Sequence, residues 1–178
     1  MKFRILTAIL AVTLSLSLLT SCGPKGSSSG SDSSGGSASS AQPGSGTISP
    51  DLAVFYQTLT QNYEWQAAMD KLPGDFLTNY YAGLESIATN QEAIYASMIS
   101  LSNHEIALIE VQDSGDVGAV KTILQTRVDD QVNGGAWYPS SIEEWENNSR
   151  VESSGNFVIL VVHPDADAIV SDFLALVG

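Results

Sequence analysis

Apolar positions recur along this chain in two periods, and the alternation between them outlines a domain over residues 48–178. Leu52, Phe55, Leu59 and Tyr63 stand three and four apart, which is one face of a helix. Ser49-Pro50-Asp51 precedes them with a cap, a proline for the first position and an acid for the first turn. A shorter helix is expected from Gly74 to Tyr81, closed by Gly83. Ala93–Ile99 and Glu105–Gln112 read as the two strands of a hairpin across the polar stretch 100–103. Val117, Val120, Leu124 and Val128 return to the helical period, which stops at Asn133-Gly134-Gly135. Ser141-Ile142-Glu143-Glu144 spells a capping box for a short helix carrying Trp145. Phe157–Val162 is a six-residue apolar run rich in β-branched residues, as a strand buried on both faces would be. Arg150–Ser153 can pair with it through a turn at Ser154-Gly155, and Pro164-Asp165 opens a last helix that buries Ile169, Val170 and Phe173. The order helices, β-hairpin, helix, short helix, β-hairpin, helix predicts an α+β domain with a small sheet of three to four strands.

The N-terminal pattern is different in kind. Lys2 and Arg4 precede an apolar run from Ile5 to Leu19, 15 residues long, which suits an export signal and falls short of a bilayer span. The run ends in Leu19-Thr20-Ser21-Cys22-Gly23, which resembles a bacterial lipobox. That resemblance implies a diacylglyceryl group on the thiol of Cys22, cleavage before it, and a signal peptide over 1–21. Residues 22–47 then hold the lipidated cysteine and a Ser/Gly-rich tether. From Gly23 to Thr47, 10 of 25 residues are Ser and 7 are Gly. Such a tether has an r.m.s. reach of roughly 25–30 Å. The expected partner of this end is the lipid bilayer, reached through acylated Cys22, on the extracytoplasmic face of a bacterial cell membrane.

Charge narrows the partners. The chain has 20 acids against 7 Lys plus Arg, a formal −13, and residues 48–178 hold nineteen acids and four cations, a formal −15. That balance excludes a nucleic-acid binder, which needs a basic patch for phosphates. A single cysteine excludes an internal disulfide and a Cys-rich zinc site.

From about Tyr80 onward the chain resembles a family of uncharacterised lipoproteins of clostridia-type Gram-positive bacteria that carry a domain of unknown function. The likeness rests on the strand Glu105-Ile106-Ala107-Leu108-Ile109-Glu110-Val111 and a helix with Arg127 and Gln131. Tyr138-Pro139 and Gly155-Asn156-Phe157 complete it. The resemblance implies a Gram-positive surface location and supplies no activity, substrate or catalytic residue.

The residues themselves offer little catalysis. Only His104 and His163 are available as imidazole bases, and no Gly-x-Ser-x-Gly elbow or phosphate-binding glycine loop occurs. His104 reads as a surface residue at a strand edge. His163, Asp165 and Asp167 form a weak candidate metal site, although acids at that place also suit a helix N-terminus. Asp129, Asp130, Glu143, Glu144 and Glu146 read as a solvated acidic face. The most unusual feature is Gly134-Gly135-Ala136-Trp137-Tyr138-Pro139 with Trp145 eight residues beyond Trp137. Trp137, Tyr138, Trp145 and Arg127 are therefore the candidate binding residues. A core role is nevertheless the favoured reading, because aromatic residues mostly pack inside: Trp137 is expected to be buried beneath the crossover, with Tyr138 holding the loop against Arg127 or Gln131.

No cofactor and no catalytic residue are expected. The reading is a membrane-anchored binding or interaction module of the envelope, its partner an envelope protein or a glycan. The alternative is a small envelope hydrolase that uses acidic residues.

Overall fold

The computed structural model describes residues 49–99 and 102–178. The signal segment 1–21, Cys22 and the tether to residue 47 lie outside the described residues. Among the described residues no helix is long and apolar enough to cross a membrane.

Five helices pack on a five-stranded antiparallel sheet, one strand more than the upper expectation. The elements run α1 (Leu52–Asn62), β1 (Met69–Lys71), α2 (Gly74–Tyr80), β2 (Thr89–Ser97), β3 (Glu105–Val111), α3 (Val117–Asp130), α4 (Pro139–Asn148), β4 (Ser149–Ser154), β5 (Phe157–Val162) and α5 (Ala166–Val177). Their order across the sheet is β1-β2-β3-β5-β4. The added strand, β1, is three residues long and pairs Met69 with Ser97 and Lys71 with Tyr95. No alternation could announce so short a piece. Strand β2 starts at Thr89 rather than Ala93, because β3 holds its polar first residues through an irregular register near Gln91.

Central strands β3 and β5 are buried on both faces, as the apolar run at 157–162 predicts. Alternate residues feed two cores. Ile106, Leu108, Ile159 and Val161 pack with Leu52, Phe55 and Leu59 of α1 and Ile169 and Phe173 of α5. Ala107, Ile109, Val158 and Leu160 pack on the other face with Val120, Leu124 and Val128 of α3, Trp145 of α4, and Tyr81. A helix–sheet–helix sandwich results.

Two helix starts differ from expectation. Asp51, not Ser49, caps α1, accepting from the amides of Ala53 and Val54. Helix α4 begins at Pro139, two residues before the capping-box serine. Proline's fixed φ and missing N–H suit the first helical position, so Ser141 falls inside the first turn and is buried. Glu144, released from a cap, turns inward instead.

Candidate functional site

The site is built from one of the two acids, Glu105 and Glu110, in a strand that is otherwise apolar. Glu105 opens β3 with its side chain toward α3 and is 3% exposed. A carboxylate there needs a cation, and Arg127 of α3, 8% exposed, supplies it. Arg127 Nε donates to Glu105 Oε1 at 3.0 Å and Nη2 donates to Oε2 at 2.8 Å, a bidentate fork. The buried Tyr81 hydroxyl donates to the same carboxylate. Burial opposes the guanidinium's charge, yet Glu105 more than offsets this and holds the Arg127 pKa above its ordinary value. Burial first, and then Glu105, push the Tyr81 phenol well above its usual range, so it stays a donor.

Aromatic rings close over the same cation. The Tyr80 ring centroid is 4.0 Å from Arg127 Cζ and that of Trp145 is 5.1 Å away. Arg127 therefore has one carboxylate and two aromatic partners, and neither aromatic is Tyr138, which was expected against it. Trp145 is 2% exposed and belongs to the core. Arg127 Nη1 has no hydrogen-bond partner among the described residues.

Above this network opens a cavity of about 560 Å³, in the range of small-molecule sites. Its walls come from α2, the end of β2, the start of β3, the end of α3 and the start of α4. Arg127, Glu105, Tyr80 and Trp145 line it, with Gln131, Asn103 and Ser141 as neutral polar groups. Trp137 and Tyr138 also line it and are exposed by 92% and 51%. Expectation is corrected here: Trp137 is not core.

The reversal after α3 explains why. The helix loosens into a π-turn over Gln131–Gly135, and Gly134 takes φ 131°, a value only glycine adopts easily. A Cβ on Gly135 would sit 2.8 Å from the Asp130 carbonyl oxygen and 2.6 Å from Gln131 Nε2. The chain can pass this close to its own helix only without a side chain. It then emerges with Ala136 against the core and Trp137 outward. Tyr138 spends its carbonyl on capping α4, accepting from Ser141 and Ile142.

At the cleft wall stands a pair that the sequence did not bring together, His104 lining the cleft and His163 behind it. The register Glu105↔Val162 sets His104 opposite His163, with ring centroids 4.7 Å apart. His104 is 2% exposed rather than a surface residue. Its Nδ1 accepts from the Gln66 amide, so in the neutral ring the proton sits on Nε2. Nε2 lies 3.3 Å from Glu144 Oε1 without hydrogen-bond geometry, and Asn103 Nδ2 donates to Glu144 Oε2 at 2.9 Å. Burial, followed by His163, lowers the His104 pKa, with Glu144 pulling the other way. Glu144 thus leaves the solvated acidic face assigned to it.

The His163, Asp165 and Asp167 set does not assemble as a metal site. His163 Nδ1 accepts from the Asp165 amide at 2.9 Å, while Nε2 is 2.9 Å from the Glu64 carbonyl oxygen. Both ring nitrogens are taken. Asp167 instead pairs with Arg150, Oδ1 to Nε at 2.7 Å. Among the described residues no group of three or more His, Cys, Asp or Glu could hold a metal ion.

The sequence singled out Arg127, Trp137, Tyr138 and Trp145, and all four line the cleft, Trp145 as part of the core and Trp137 outside the core favoured for it. It missed Glu105, Tyr80, Tyr81 and the histidine pair. One signal pointed to Glu105: an acid on the inward period of an apolar strand requires one of very few cations.

A family model described as a domain of unknown function (DUF4358) matches residues 61–163, and the chain belongs to that family. The matched span includes all the cleft residues named above. No curated protein and no solved structure matches the chain.

Proposed function

We propose that this DUF4358 family member is a non-catalytic binding module of the bacterial envelope, tethered to the membrane through acylated Cys22, with the Trp137-rimmed cleft as its ligand site. One observation carries the reading. An indole 92% exposed at the mouth of a cavity, beside Tyr138, contributes nothing to the fold and leaves a large apolar face in water. Rigid aromatics in that position are the usual anchors of recognition.

The hydrolase alternative fares worse on the same geometry. Glu105 is held by Arg127 and Tyr81, and Glu144 by Asn103 beside His104. Carboxylates so engaged are poor candidates for moving protons or attacking a sugar.

The experiment is sedimentation of the full-length chain, in detergent micelles, with purified insoluble Gram-positive cell wall. The wild-type chain is expected in the pellet and Trp137→Ala in the supernatant. Equal pelleting of both, or of neither, overturns the reading. The anchor is read separately, by mass spectrometry of membrane-extracted chain. Acyl mass on a peptide beginning at Cys22 is expected, and a free thiol there would contradict it.

A further inference from the structure

We propose that the ligand of this cleft is an uncharged glycan, an inference that rests on the binding reading above and narrows it. Three observations on the cleft select that chemistry.

The first is that its strand edges are occupied. Ala96 of β2 is paired with Asp70 of β1 on one side and Glu105 of β3 on the other. Ser97 pairs with Met69 and takes its N–H to the His104 carbonyl. An extended peptide has no strand to extend here, so the usual main-chain mode of peptide capture is closed. Recognition falls to side chains.

The second is charge. The cation in the floor is neutralised within its fork by Glu105, and Glu144 adds a further carboxylate behind Asn103. The surrounding domain carries nineteen acids against four cations. A polyanion, such as a polyol-phosphate chain, meets a repelling field, and among the described residues that line the cleft there is no cation besides the paired Arg127 to receive it.

The third is the pairing of a flat apolar face with neutral polar groups. A pyranose ring presents C–H groups on its faces and hydroxyls around its rim. Trp137 supplies a platform for such a face. Gln131, Asn103 and Ser141 supply amide and hydroxyl groups, and Arg127 Nη1 adds two N–H donors for a hydroxyl or acetamido oxygen. Arg127 acts here as a rigid hydrogen-bond donor, its net charge already answered.

The test is calorimetric titration of the full-length chain in lipid nanodiscs with four probes. These are chitotetraose, cellotetraose, a neutral pentapeptide and poly(glycerol phosphate). Binding of one or both tetrasaccharides is expected, with the acetamido form favoured. Trp137→Ala should weaken that binding about tenfold or more, while Trp137→Phe, which keeps a ring, stays within a few-fold. Thermal melts of the variants should coincide with wild type, which excludes unfolding as the cause. Binding of the peptide or the polyanion alone overturns the glycan inference. Failure of all four overturns it too. In both cases Trp137-dependent sedimentation with cell wall, if observed, leaves the binding reading standing.

Discussion

Replacing Glu105 with Gln should be among the most damaging single changes in this domain. The substitution keeps the shape and removes one charge, so its effect isolates the electrostatics of the floor. Arg127 would remain 8% exposed under Tyr80 and Trp145, with two charge-assisted hydrogen bonds at 3.0 and 2.8 Å weakened or lost. An uncompensated buried charge of this kind costs about 3–5 kcal/mol. A domain of this size is stable by about 5–15 kcal/mol, so the loss takes a large share of the whole. Urea unfolding followed by circular dichroism is the assay. With a slope of about 1.5 kcal/mol per molar, the midpoint should fall by roughly 2–3 M. The double variant Glu105→Gln, Arg127→Met removes the stranded charge and should recover a large part of the loss. A fall of less than about 1 kcal/mol for Glu105→Gln would show that Arg127 reaches solvent and that the network is not a buried pair.

The two tryptophans of the site should separate cleanly in the same assay. Trp145→Ala is expected to cost about 3–5 kcal/mol, whereas Trp137→Ala stays within about 0.5 kcal/mol of the parent. Gly135→Ala forces a methyl against the Asp130 carbonyl and should cost about 1–3 kcal/mol, with Trp137 fluorescence shifting as the loop is displaced. Stability should also bend at both ends of the pH scale. The folded-state pKa of His104 is depressed below 6.5, so its contribution is complete above that pH. It is lost as pH falls from there through the depressed value, because the unfolded chain binds the proton first. Tyr81 and Tyr63 act at the other end: their folded pKa values lie above 10.0, that of Tyr63 pushed up to about 12. Their contribution is present below pH 10 and declines as pH rises through the folded values. Chemical unfolding across pH 4–12 reads both limbs, and His104→Asn should flatten the acid one.

What the sequence disclosed and what it withheld divide by the range of the forces involved. Strand β5 and helix α5 were legible because an apolar run and a helical period are local statements. So was the β4–β5 hairpin, marked by Gly155, which takes φ 55° at the turn. Strand β1, by contrast, is Met-Asp-Lys and exists through its partner β2. The start of α4 turned on a competition between two local signals, which Pro139 won over Ser141. Trp137 was misjudged because aromatic residues mostly pack inside, and only the path of the chain at Gly134-Gly135 swings this one outward. The histidine pair required the register of β3 against β5, which no spacing along the chain contains.

The account stands on Trp137 meeting the ligand, and its indole N–H reports that directly. In a spectrum of the full-length chain in nanodiscs labelled at the tryptophan Nε1 positions, three indole signals are expected, from Trp65, Trp137 and Trp145. That of Trp137, assigned by its loss in Trp137→Phe, should be solvent-like in the free chain. Titration with solubilised cell-wall glycan should move the Trp137 signal in a saturable way and leave that of Trp65, bonded to the Leu59 carbonyl, where it was. A Trp137 signal that stays fixed at saturating glycan, or that moves only together with Trp65, would contradict the assignment of this cleft as the site.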